Sequence, residues 1–543
     1  MAAYGHYFDE TTKEIHATKT QAELDDRGVG YVLFYSMKKS AEKGLTAQIE
    51  AITGHRDSFK SFLSRCVRVA MSMRKMGIKR GDVISICSYN HLNSAVPYLA
   101  GHFSGATIAP TDPSISVEDQ RHLMNLVKPK IIFVCNGSEE QTLKALAPLK
   151  FKCEVITFAR DKGSQYRSFA SMIEKQDDEE NFEPVISEDP TATCVILFSS
   201  GTTGLPKGIC LNHYFIMSTF TSVESLQTVK PRFLIYSSLY WISAIGFQTI
   251  CFYYGMERVV CTHYDSSLIW EYIRKYQVHV AFLAPVQAIR SLEYLHPSKE
   301  NPIPLKIMLM GGSALAATYY QRLRDLLPQT LITNGYGQTE LGFIASFQKP
   351  DEYYLKLNSV GVLSANCIAK IVDPDSEEAL DLNQKGEIRI KVPYPMNGYY
   401  NQDSTSVWDS NGFVKTGDLG YFDDDLCLYL TDRIKEMFKY QSWHIVPAKL
   451  EAILQSHPDV ELAIVVGIPH PIEDNHAVGA VTLMPKATVS ANELEEYVES
   501  QVDERNRLRA GVVILDRMPL TPTGKIMRRE AKEMLKKIVK LRY

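Results

Sequence analysis

The stretch Leu197-Phe-Ser-Ser-Gly-Thr-Thr-Gly-Leu-Pro-Lys-Gly208 decides how this chain is interpreted, because it joins an apolar run to a dense polar loop. Its polar chemistry comes from hydroxyls, glycines and one lysine, namely Ser199, Ser200, Gly201, Thr202, Thr203, Gly204, Lys207 and Gly208. Glycines let the backbone turn its N–H groups toward an anion, hydroxyls donate further hydrogen bonds, and the lysine adds positive charge. The stretch therefore predicts a phosphate-binding loop at the end of a buried strand.

Two other interpretations of this loop are weaker. A Walker loop would end in Gly-Lys followed by Ser or Thr, whereas this loop ends in Pro206-Lys207-Gly208. A flexible surface linker is also rich in glycine and serine, but a linker rarely begins directly on a buried strand. Phosphate binding remains the favoured interpretation.

Short β-branched runs alternate with longer helix-like stretches along much of the chain. The predicted strands are Val83–Cys87, Ile131–Cys135, Val155–Phe158, Cys194–Phe198, Val278–Leu283 and Lys306–Met310, and a helix is predicted over Phe59–Met76. Alternation of this kind is typical of α/β proteins with buried sheets. Residues 351–434 instead contain short strands separated by turn residues, among them Gly386–Lys391 and Leu426–Leu430, which predicts a compact β unit.

The last part of the chain has a pattern of its own. Pro447 suits the first position of a helix, Leu462–Ile468 predicts a strand, and Ser490-Ala-Asn-Glu493 is a capping box. About 110 residues are enough for a small domain. We therefore predict two domains, 1–432 and 433–543, the second of them α+β.

The composition is that of an ordinary globular protein, with 45% hydrophobic and 22% charged residues among 543. It argues against a disordered chain, a fibrous repeat and an integral membrane protein. The net charge of -4, with both signs mixed along the chain, gives no indication of a nucleic-acid partner. We expect small-molecule partners and favour a monomer.

The cysteines and the two ends of the chain indicate in which cellular compartment the protein is expected. The ten cysteines form no C-x-x-C pair, which favours free thiols in a reducing compartment. We find neither a signal-peptide pattern at the N-terminus nor a run of about 18 apolar residues. The C-terminal Lys540-Leu541-Arg542-Tyr543 departs from the Ser-Lys-Leu peroxisomal signal. We therefore expect a cytoplasmic protein without a transmembrane segment, with a peroxisomal location as the alternative.

Four further motifs follow the loop in order along the chain. They are Gly335-Tyr-Gly-Gln-Thr-Glu340, Thr416-Gly-Asp418, Asp432-Arg-Ile-Lys435 and Pro522-Thr-Gly-Lys525. Together with the loop, they resemble the signature motifs of the adenylate-forming superfamily, which includes acyl-CoA synthetases and beetle luciferases. The likeness is greatest to the luciferase, fatty acyl-CoA and 4-coumarate-CoA ligase branch. It implies a large N-terminal domain of stacked α/β sheets plus a β unit, followed by a small mobile α+β domain.

The resemblance implies a site for ATP and AMP. Tyr336 would pack on the adenine, Thr339 would meet phosphate, and Glu340 would hold Mg²⁺; an aromatic face suits a purine, and a carboxylate suits magnesium. Asp418 would accept hydrogen bonds from both ribose hydroxyls, and Arg433 would reach the same sugar. The resemblance also places Gly312 and Gly337 in this site. A dinucleotide fingerprint is disfavoured, because Glu340 stands where the third glycine would be required.

Three lysines of the C-terminal part are assigned to steps of the reaction by the resemblance. Lys525 matches the adenylation lysine, a cation that bridges an attacking carboxylate and the α-phosphate. Lys435 occupies the hinge position, and Lys439 the position associated with transfer of the acyl group to coenzyme A. Ser442 and Trp443 replace a glycine and a smaller aromatic residue along the thiol channel, which predicts a narrower path for coenzyme A.

The acyl site is expected beside these motifs. Gly311 and Ser313 would border the adenine and acyl pocket, and Tyr240 and Trp241 stand where the family commonly has a guarding histidine. Leu341–Phe343 suit an aliphatic chain better than luciferin, because Phe343 is bulky and apolar. These residues predict a medium- or long-chain fatty acid as the substrate.

We therefore predict an acyl-CoA synthetase that uses ATP, Mg²⁺ and coenzyme A, with acyl-AMP as its intermediate. One alternative is a luciferase-like oxidative enzyme, disfavoured because Thr219 or a neighbour stands where luciferases have an arginine. A second is an adenylate-forming enzyme that lacks efficient transfer to coenzyme A. A third is a non-catalytic sensor, against which the complete set of motif residues argues.

Overall fold

The computed structural model describes residues 5–20, 23–159, 166–199, 206–221, 230–297, 302–347, 356, 358–441, 443–521 and 524–540. In these ranges we find no helix with the length and apolar character that a membrane crossing requires. The α-helices, in chain order, are Val29–Glu42, Phe59–Lys75, Val96–Phe103, Val117–Val127, Glu139–Leu146, Phe169–Met172, His213–Thr221, Ile242–Tyr254, Ile269–Lys275, Pro285–Ser291, Ala317–Leu326, Pro447–Ser456, Ala491–Glu499 and Arg528–Lys540. Short 3₁₀ helices lie at Glu179–Asn181, Leu292–Tyr294, Thr405–Val407 and Glu504–Asn506.

Two largely parallel sheets form the greater part of the chain. The strands of the first, in spatial order, are Gly398–Tyr399, Lys207–Asn212, Thr193–Ser199, Thr107–Thr111, Val83–Cys87, Ile131–Val134, Glu154–Thr157 and Arg167–Ser168. The strands of the second are Leu331–Asn334, Ile307–Met310, Val280–Leu283, Phe233–Ile235, Arg258–Val260, Thr46–Glu50 and Arg56–Ser58. The mixed α/β fold class predicted from the sequence is confirmed.

Burial explains why these segments form sheets. Every residue of Val83–Cys87 is buried, as expected of a parallel strand covered on both faces. The helix Val96–Phe103 is also buried at every position, and it contributes to a core shared by strands of both sheets. The Ser58 side chain accepts a hydrogen bond from the backbone N–H of Ser61, which fixes the start of the helix Phe59–Lys75.

The β unit is an antiparallel sheet with a small three-segment sheet beside it. Its strands, in spatial order, are Tyr7–Asp9, Glu14–His16, Ile368–Val372, Gly386–Lys391, Val414–Phe422 and Leu428–Arg433, and the small sheet consists of Tyr336–Gln338, Gly342–Ser346 and Val362–Leu363. Two features depart from the sequence interpretation. The N-terminal hairpin joins this unit, and Gly398–Tyr399 pairs instead with Lys207–Asn212 of the first sheet.

The C-terminal part builds a separate sheet on a separate core. Its strands are Trp443–Ile445, Phe438–Tyr440, Asp474–Leu483 and Val460–His470, with Val512–Ile514 added in parallel to Asp474–Leu483. The predicted capping box is present, since the Ser490 hydroxyl accepts from the Glu493 N–H and the Glu493 carboxylate accepts from the Ser490 N–H. The helix predicted to begin at Pro447 does so.

An interface joins this C-terminal sheet to the second parallel sheet. Ala284 and Val286, which follow the strand Val280–Leu283, belong to a buried cluster that otherwise comes from the C-terminal part. The Arg290 guanidinium lies 2.5 Å from the Glu461 carboxylate, and the Tyr319 hydroxyl donates to the Val460 carbonyl at 2.8 Å. These contacts set the face that the C-terminal part presents to the rest of the molecule.

Candidate active site

A cavity of about 2190 Å³ lies where the β unit, the second parallel sheet and the C-terminal part meet. Pockets for one small ligand usually measure about 300–1,000 Å³, so this space has room for a nucleotide and a second substrate. Gly311 and Gly335 line it directly after the strands Ile307–Met310 and Leu331–Asn334. The cavity therefore lies at the carboxyl edge of a parallel sheet, where ligands of α/β proteins usually bind.

Asp418 is the centre of a hydrogen-bonded cluster at one side of the cavity. Its Oδ2 accepts the Tyr336 hydroxyl and the Gln338 amide, each at 2.7 Å, and its Oδ1 lies 2.9 Å from Nε of Arg433. Burial and the neighbouring carboxylate of Asp418 raise the pKa of Tyr336 well above its usual value, so the phenol stays a donor. The Asp418 carboxylate has about one lone pair left, so in this arrangement it has room for one ribose hydroxyl rather than the two that the motif predicted.

In a second cluster, one tyrosine side chain contacts both a carboxylate and a lysine cation. The Tyr399 hydroxyl lies 3.3 Å from Glu340, and Nζ of Lys207 lies 4.6 Å from the centre of the Tyr399 ring. Burial raises the pKa of Glu340 above its ordinary value. A nearby cation would favour the ionised carboxylate. Thr339 and Gly337 line the cavity beside this cluster.

The phosphate loop predicted from the sequence is described only at its ends. Ser199 and Lys207 are paired across two antiparallel strands, and both line the cavity. Ser200, Gly201, Thr202, Thr203 and Gly204 lie outside the described residues. The glycine Gly312 lines the same cavity, with φ of 95° and open space where a side chain would project.

Lys525 reaches the cavity from the C-terminal part. It follows Gly524, whose φ is 83° and where a Cβ would lie only 2.2 Å from Cγ1 of Val286. Any other residue at position 524 would therefore displace the loop. Burial, with repulsion from Arg433 in second place, lowers the pKa of Lys525 from 10.5 to about 8. The lysine thus faces the same space as Asp418 and Arg433, as the motifs predicted.

Arg528 binds two carboxylates just beyond Lys525, a contact that sequence reasoning did not predict. Its Nε lies 3.0 Å from Glu436, and its Nη1 lies 2.7 Å from Glu451. Burial raises the pKa of the nearby Asp432 to about 6. Lys435, the predicted hinge residue, is exposed at the edge of the cavity. The cluster connects the segment after Asp432 with the helix that follows Lys525.

The sequence analysis also did not predict that Gln338 and Tyr399 belong to the site. Gln338 lies inside the motif whose tyrosine, threonine and glutamate were assigned to the site. Its side-chain amide could therefore have been predicted as a further polar group of the site. Tyr399 belongs to an ordinary Gly-Tyr-Tyr sequence that carries no local signal. Its place at the site depends on a strand pairing with distant residues.

The predicted acyl residues line another part of the cavity. Trp241 packs edge-to-face on Tyr240, with ring centres 5.2 Å apart, and its buried indole Nε1 has no hydrogen-bond partner among the described residues. Phe343 is 48% exposed, and its ring lies over the backbone of Gly335. Gly311 and Ser313 line the same space. The structure therefore brings the five predicted acyl residues to one cavity.

Lys439 and Trp443 are placed elsewhere. Lys439 is exposed on the strand Phe438–Tyr440, and Trp443 is 55% exposed with the Arg505 guanidinium 3.7 Å from its ring centre. Neither residue lines the cavity, because this orientation of the C-terminal part presents the loop of Lys525 instead. Ser442 lies outside the described residues.

Two profiles of known protein families match this chain. The profile of the AMP-binding enzyme family matches residues 39–400, and the profile of the AMP-binding enzyme C-terminal domain matches residues 449–525. The chain belongs to the AMP-binding enzyme family. The family is the adenylate-forming, luciferase-like superfamily that the motifs indicated, so this prediction is confirmed.

Relatives of the family resemble this member over most of its length. A luciferin 4-monooxygenase from Photuris pensylvanica is 28% identical over 528 residues, covering 95% of this chain and 96% of that protein. A probable 4-coumarate–CoA ligase from Dictyostelium discoideum is 30% identical, covering 88% of this chain and 91% of that protein. The solved luciferase-like enzyme of the nonluminescent mealworm Zophobas morio is 33% identical, with a TM-score of 0.73, and covers 78% of this chain and 99% of that chain.

Proposed function

We propose that this member of the AMP-binding enzyme family is an acid–thiol ligase, an acyl-CoA synthetase. In the first step a carboxylate oxygen would attack the α-phosphorus of ATP, forming acyl-AMP and releasing pyrophosphate. In the second step the thiol sulfur of coenzyme A would attack the acyl carbon, and AMP would leave as the thiol proton is lost. The observation that carries the proposal is Lys525, a cation of lowered pKa that faces the cavity beside Asp418 and Arg433.

The first step sets a clear electrostatic requirement. A carboxylate and a triphosphate are both anions, so they repel each other as they approach. A cation between the attacking oxygen and the α-phosphate offsets this repulsion and stabilises the transferring charge. Lys525 would supply that cation, and Lys207 would bind the phosphates from the other side of the cavity. Asp418 and Arg433 would hold the ribose, and Tyr336 the adenine.

A magnesium ion fits one part of this site. The Glu340 carboxylate is a hard oxygen ligand on the cavity wall, and its Oε1 has the Tyr399 hydroxyl 3.3 Å away, with room for a hard cation beside it. Mg²⁺ usually takes one or two carboxylates together with phosphate oxygens and water. Glu340 would hold Mg²⁺, and the ion would neutralise charge on the phosphates; Thr339 would contact the same phosphates.

We also propose that the C-terminal part beyond Arg433 rotates as a domain on Lys435; Arg433, which the sequence analysis assigned to that domain, is paired with Asp418 in the sheet of the β unit. This proposal is supported by the short connection between the sheet of the β unit, which ends at Arg433, and the C-terminal sheet, which begins at Phe438. Rotation would exchange the loop of Lys525 for the strand of Lys439, and the path past Ser442 and Trp443 would admit coenzyme A. Hinges of this kind are usually a few residues between packed units.

The acid is proposed to be a medium- or long-chain fatty acid. Supporting this, the acyl side of the cavity is lined by large apolar side chains, among them Phe215, Phe247, Ile250 and Phe282, beside Phe343 and Trp241. Burial of such a chain contributes about 0.8 kcal/mol per CH₂ group. A bulky aromatic acid would compete with Phe343 for the same space.

The test is a pyrophosphate-release assay on purified protein with ATP, Mg²⁺ and a panel of aliphatic and aromatic acids, with and without coenzyme A. We expect the specificity constant to rise with aliphatic chain length, and a thioester to form when coenzyme A is present. Acid-independent release, or release only with aromatic acids, would contradict the substrate assignment. Release without any thioester would instead identify an adenylate-forming enzyme that lacks the second step.

A second candidate is a luciferase-like oxidation of an acyl-adenylate, favoured by the luciferin 4-monooxygenase relatives that align over 95% of this chain. Thr219 argues against it, since its hydroxyl donates to the Ile216 carbonyl at 2.7 Å and offers no positive charge to the pocket. Photon counting with luciferin, ATP, Mg²⁺ and oxygen separates the two candidates. Sustained light above a boiled-protein control would replace our assignment.

A further inference from the structure

The carboxylate of Asp418 is already largely occupied by donors of the protein itself. Asp418 is 5% exposed, and its Oδ2 accepts both the Tyr336 hydroxyl and the Gln338 amide. Nε of Arg433 lies 2.9 Å from Oδ1. A carboxylate offers about four lone-pair sites, two on each oxygen. The two sites of Oδ2 are therefore filled by described residues, and the remaining site lies on Oδ1 beside a cation.

Gln338 gives both N–H groups of its side-chain amide to this arrangement. The amide nitrogen donates to the Asp418 carboxylate at 2.7 Å and to the Thr416 carbonyl at 2.9 Å. Both partners are acceptors, so the nitrogen of the amide faces them rather than its oxygen. Gln338 thus holds the two ends of the segment Thr416–Asp418 at once.

The backbone around Asp418 is fixed by further hydrogen bonds. The Asp418 N–H donates to the Thr416 hydroxyl oxygen at 3.1 Å, and that hydroxyl donates to the Ile388 carbonyl at 2.6 Å. The Gly417 N–H donates to the Glu387 carboxylate at 3.2 Å. The Asp418 carboxylate therefore cannot turn Oδ2 toward a ligand without leaving one of the two donors on that oxygen unpaired, which is costly.

This occupancy limits how a ribose can be recognised. A ribose presents two neighbouring hydroxyls, and a carboxylate with enough free lone pairs can accept both of them. With one site left, Asp418 has room for one hydroxyl. A site that hydrogen-bonds a substrate hydroxyl rejects an analogue that lacks it, because a buried polar group is then left unpaired. The occupied carboxylate therefore predicts unequal recognition of the two ribose hydroxyls.

We propose that Gln338 is a positioning residue that restricts Asp418 to one ribose hydroxyl of ATP. The inference rests on the proposed function, in which Asp418 holds the ribose. It departs from the expectation that both ribose hydroxyls donate to Asp418. The enzyme accordingly discriminates poorly between ATP and the monodeoxy form that lacks the other hydroxyl.

The experiment measures the binding of ATP, 2′-deoxy-ATP and 3′-deoxy-ATP to the full-length protein by calorimetry, with Mg²⁺ and without an acid. In the wild type we expect one deoxy nucleotide to lose about tenfold or more in affinity and the other less than about threefold, because only one hydroxyl donates to a carboxylate. Equal losses with both deoxy nucleotides would overturn the proposal while leaving ATP binding in place. Absence of ATP binding would overturn the proposed function, and this inference with it.

The variant Gln338→Leu separates positioning from a purely structural role. Leucine has nearly the same size but no donor, so one lone pair of Oδ2 becomes free. We expect this variant to discriminate against both deoxy nucleotides by about tenfold, because ATP gains a hydrogen bond that the second deoxy nucleotide cannot make. A residue that only stabilises the fold would weaken the binding of all three nucleotides alike, and that result would refute the proposal.

Two further variants test whether the occupied lone pairs are the cause. Tyr336→Phe frees the other lone pair of Oδ2 and keeps the aromatic ring, so it should change the discrimination as Gln338→Leu does. Gln402→Leu is the matched control, an exposed glutamine that does not line the cavity, and it should keep the unequal recognition of the wild type. The wild-type pattern in Tyr336→Phe, or a changed pattern in Gln402→Leu, would contradict this explanation.

Discussion

Two lysines of the C-terminal part, Lys525 and Lys439, lie in opposite environments although both have a predicted catalytic role. Lys525 faces a cavity shared with Asp418 and Arg433, and its pKa falls to about 8 because it is buried. Lys439 is exposed, and its carbonyl accepts the Asn475 amide within the C-terminal sheet. Lys439 lies on a strand of the C-terminal sheet and Lys525 on the loop before the last helix, and in this orientation only Lys525 lines the cavity. The difference supports our proposal that the two steps take place in two orientations of the C-terminal part.

The largest expected effect is on the first step. Lys525→Ala should reduce acid-dependent pyrophosphate release by about 10²–10³-fold, the usual cost of removing one group that stabilises transition-state charge. Stopped assays with labelled ATP measure this rate without coenzyme A. Lys439→Ala is the control and should retain the wild-type rate. Equal losses in the two variants would show that the environments do not separate the steps.

The next expected effect is smaller and concerns the second step, the formation of the thioester. Lys439→Ala should slow thioester formation from supplied acyl-AMP by about tenfold, which corresponds to about 1.4 kcal/mol of lost transition-state binding. Chromatographic detection of acyl-CoA measures the product. Lys525→Ala should leave this half-reaction near the wild-type rate. If Lys439→Ala forms thioester normally, the exposed lysine has no part in transfer.

The pKa of Lys525 predicts how the first step depends on pH. A lysine is charged below its pKa, so the bridging cation is present below pH 8 and is lost above it. With a pKa of about 8, the protonated fraction falls about fivefold between pH 8 and pH 9. The kcat/KM for ATP reports the free enzyme and should fall accordingly.

A matched variant sharpens this prediction. Lys525→Arg keeps the positive charge at all accessible pH values, because a guanidinium does not deprotonate in this range. We expect Lys525→Arg to be slower than the wild type. Its rate should nevertheless stay constant over the pH range in which the wild-type rate declines. The same decline in both proteins would assign the pH dependence to another group.

The smallest expected effect concerns the proposed thiol path. Ser442→Gly removes a side chain from that path and should raise the rate of thioester formation on the order of twofold, about 0.4 kcal/mol. Pyrophosphate release should stay the same. A parallel change in both rates would indicate a general effect on the domain instead of a wider channel.

Local patterns predicted much of this fold. The strand Val83–Cys87 and the helices that begin at Phe59 and Pro447 start where the sequence placed them, because burial and capping act over a few residues. The strand expected over Leu426–Leu430 begins at Leu428 instead, since Leu426 adopts a φ of 60° in a turn. The resemblance of the motifs to those of the adenylate-forming superfamily also implied that Asp418, Arg433 and Lys525 would meet.

Contacts between distant segments could not be predicted in this way. The strand Glu14–His16 of the N-terminal hairpin pairs with Ile368–Val372, and Gly398–Tyr399 pairs with Lys207–Asn212. Such pairings depend on loop closure over hundreds of residues and leave no periodic signal.

The contact between Gly524 and Val286 has a consequence for the balance between orientations. Burying a valine side chain contributes about 1.5–3 kcal/mol at most. Taken alone, about 2 kcal/mol corresponds to an equilibrium constant of about 30, and the Arg290–Glu461 ion pair and the Tyr319–Val460 hydrogen bond favour the same orientation. Differential binding of acyl-AMP or coenzyme A then suffices to reverse the populations. Under the proposed rotation, substrate occupancy would determine which lysine faces the acyl group, without any further energy source.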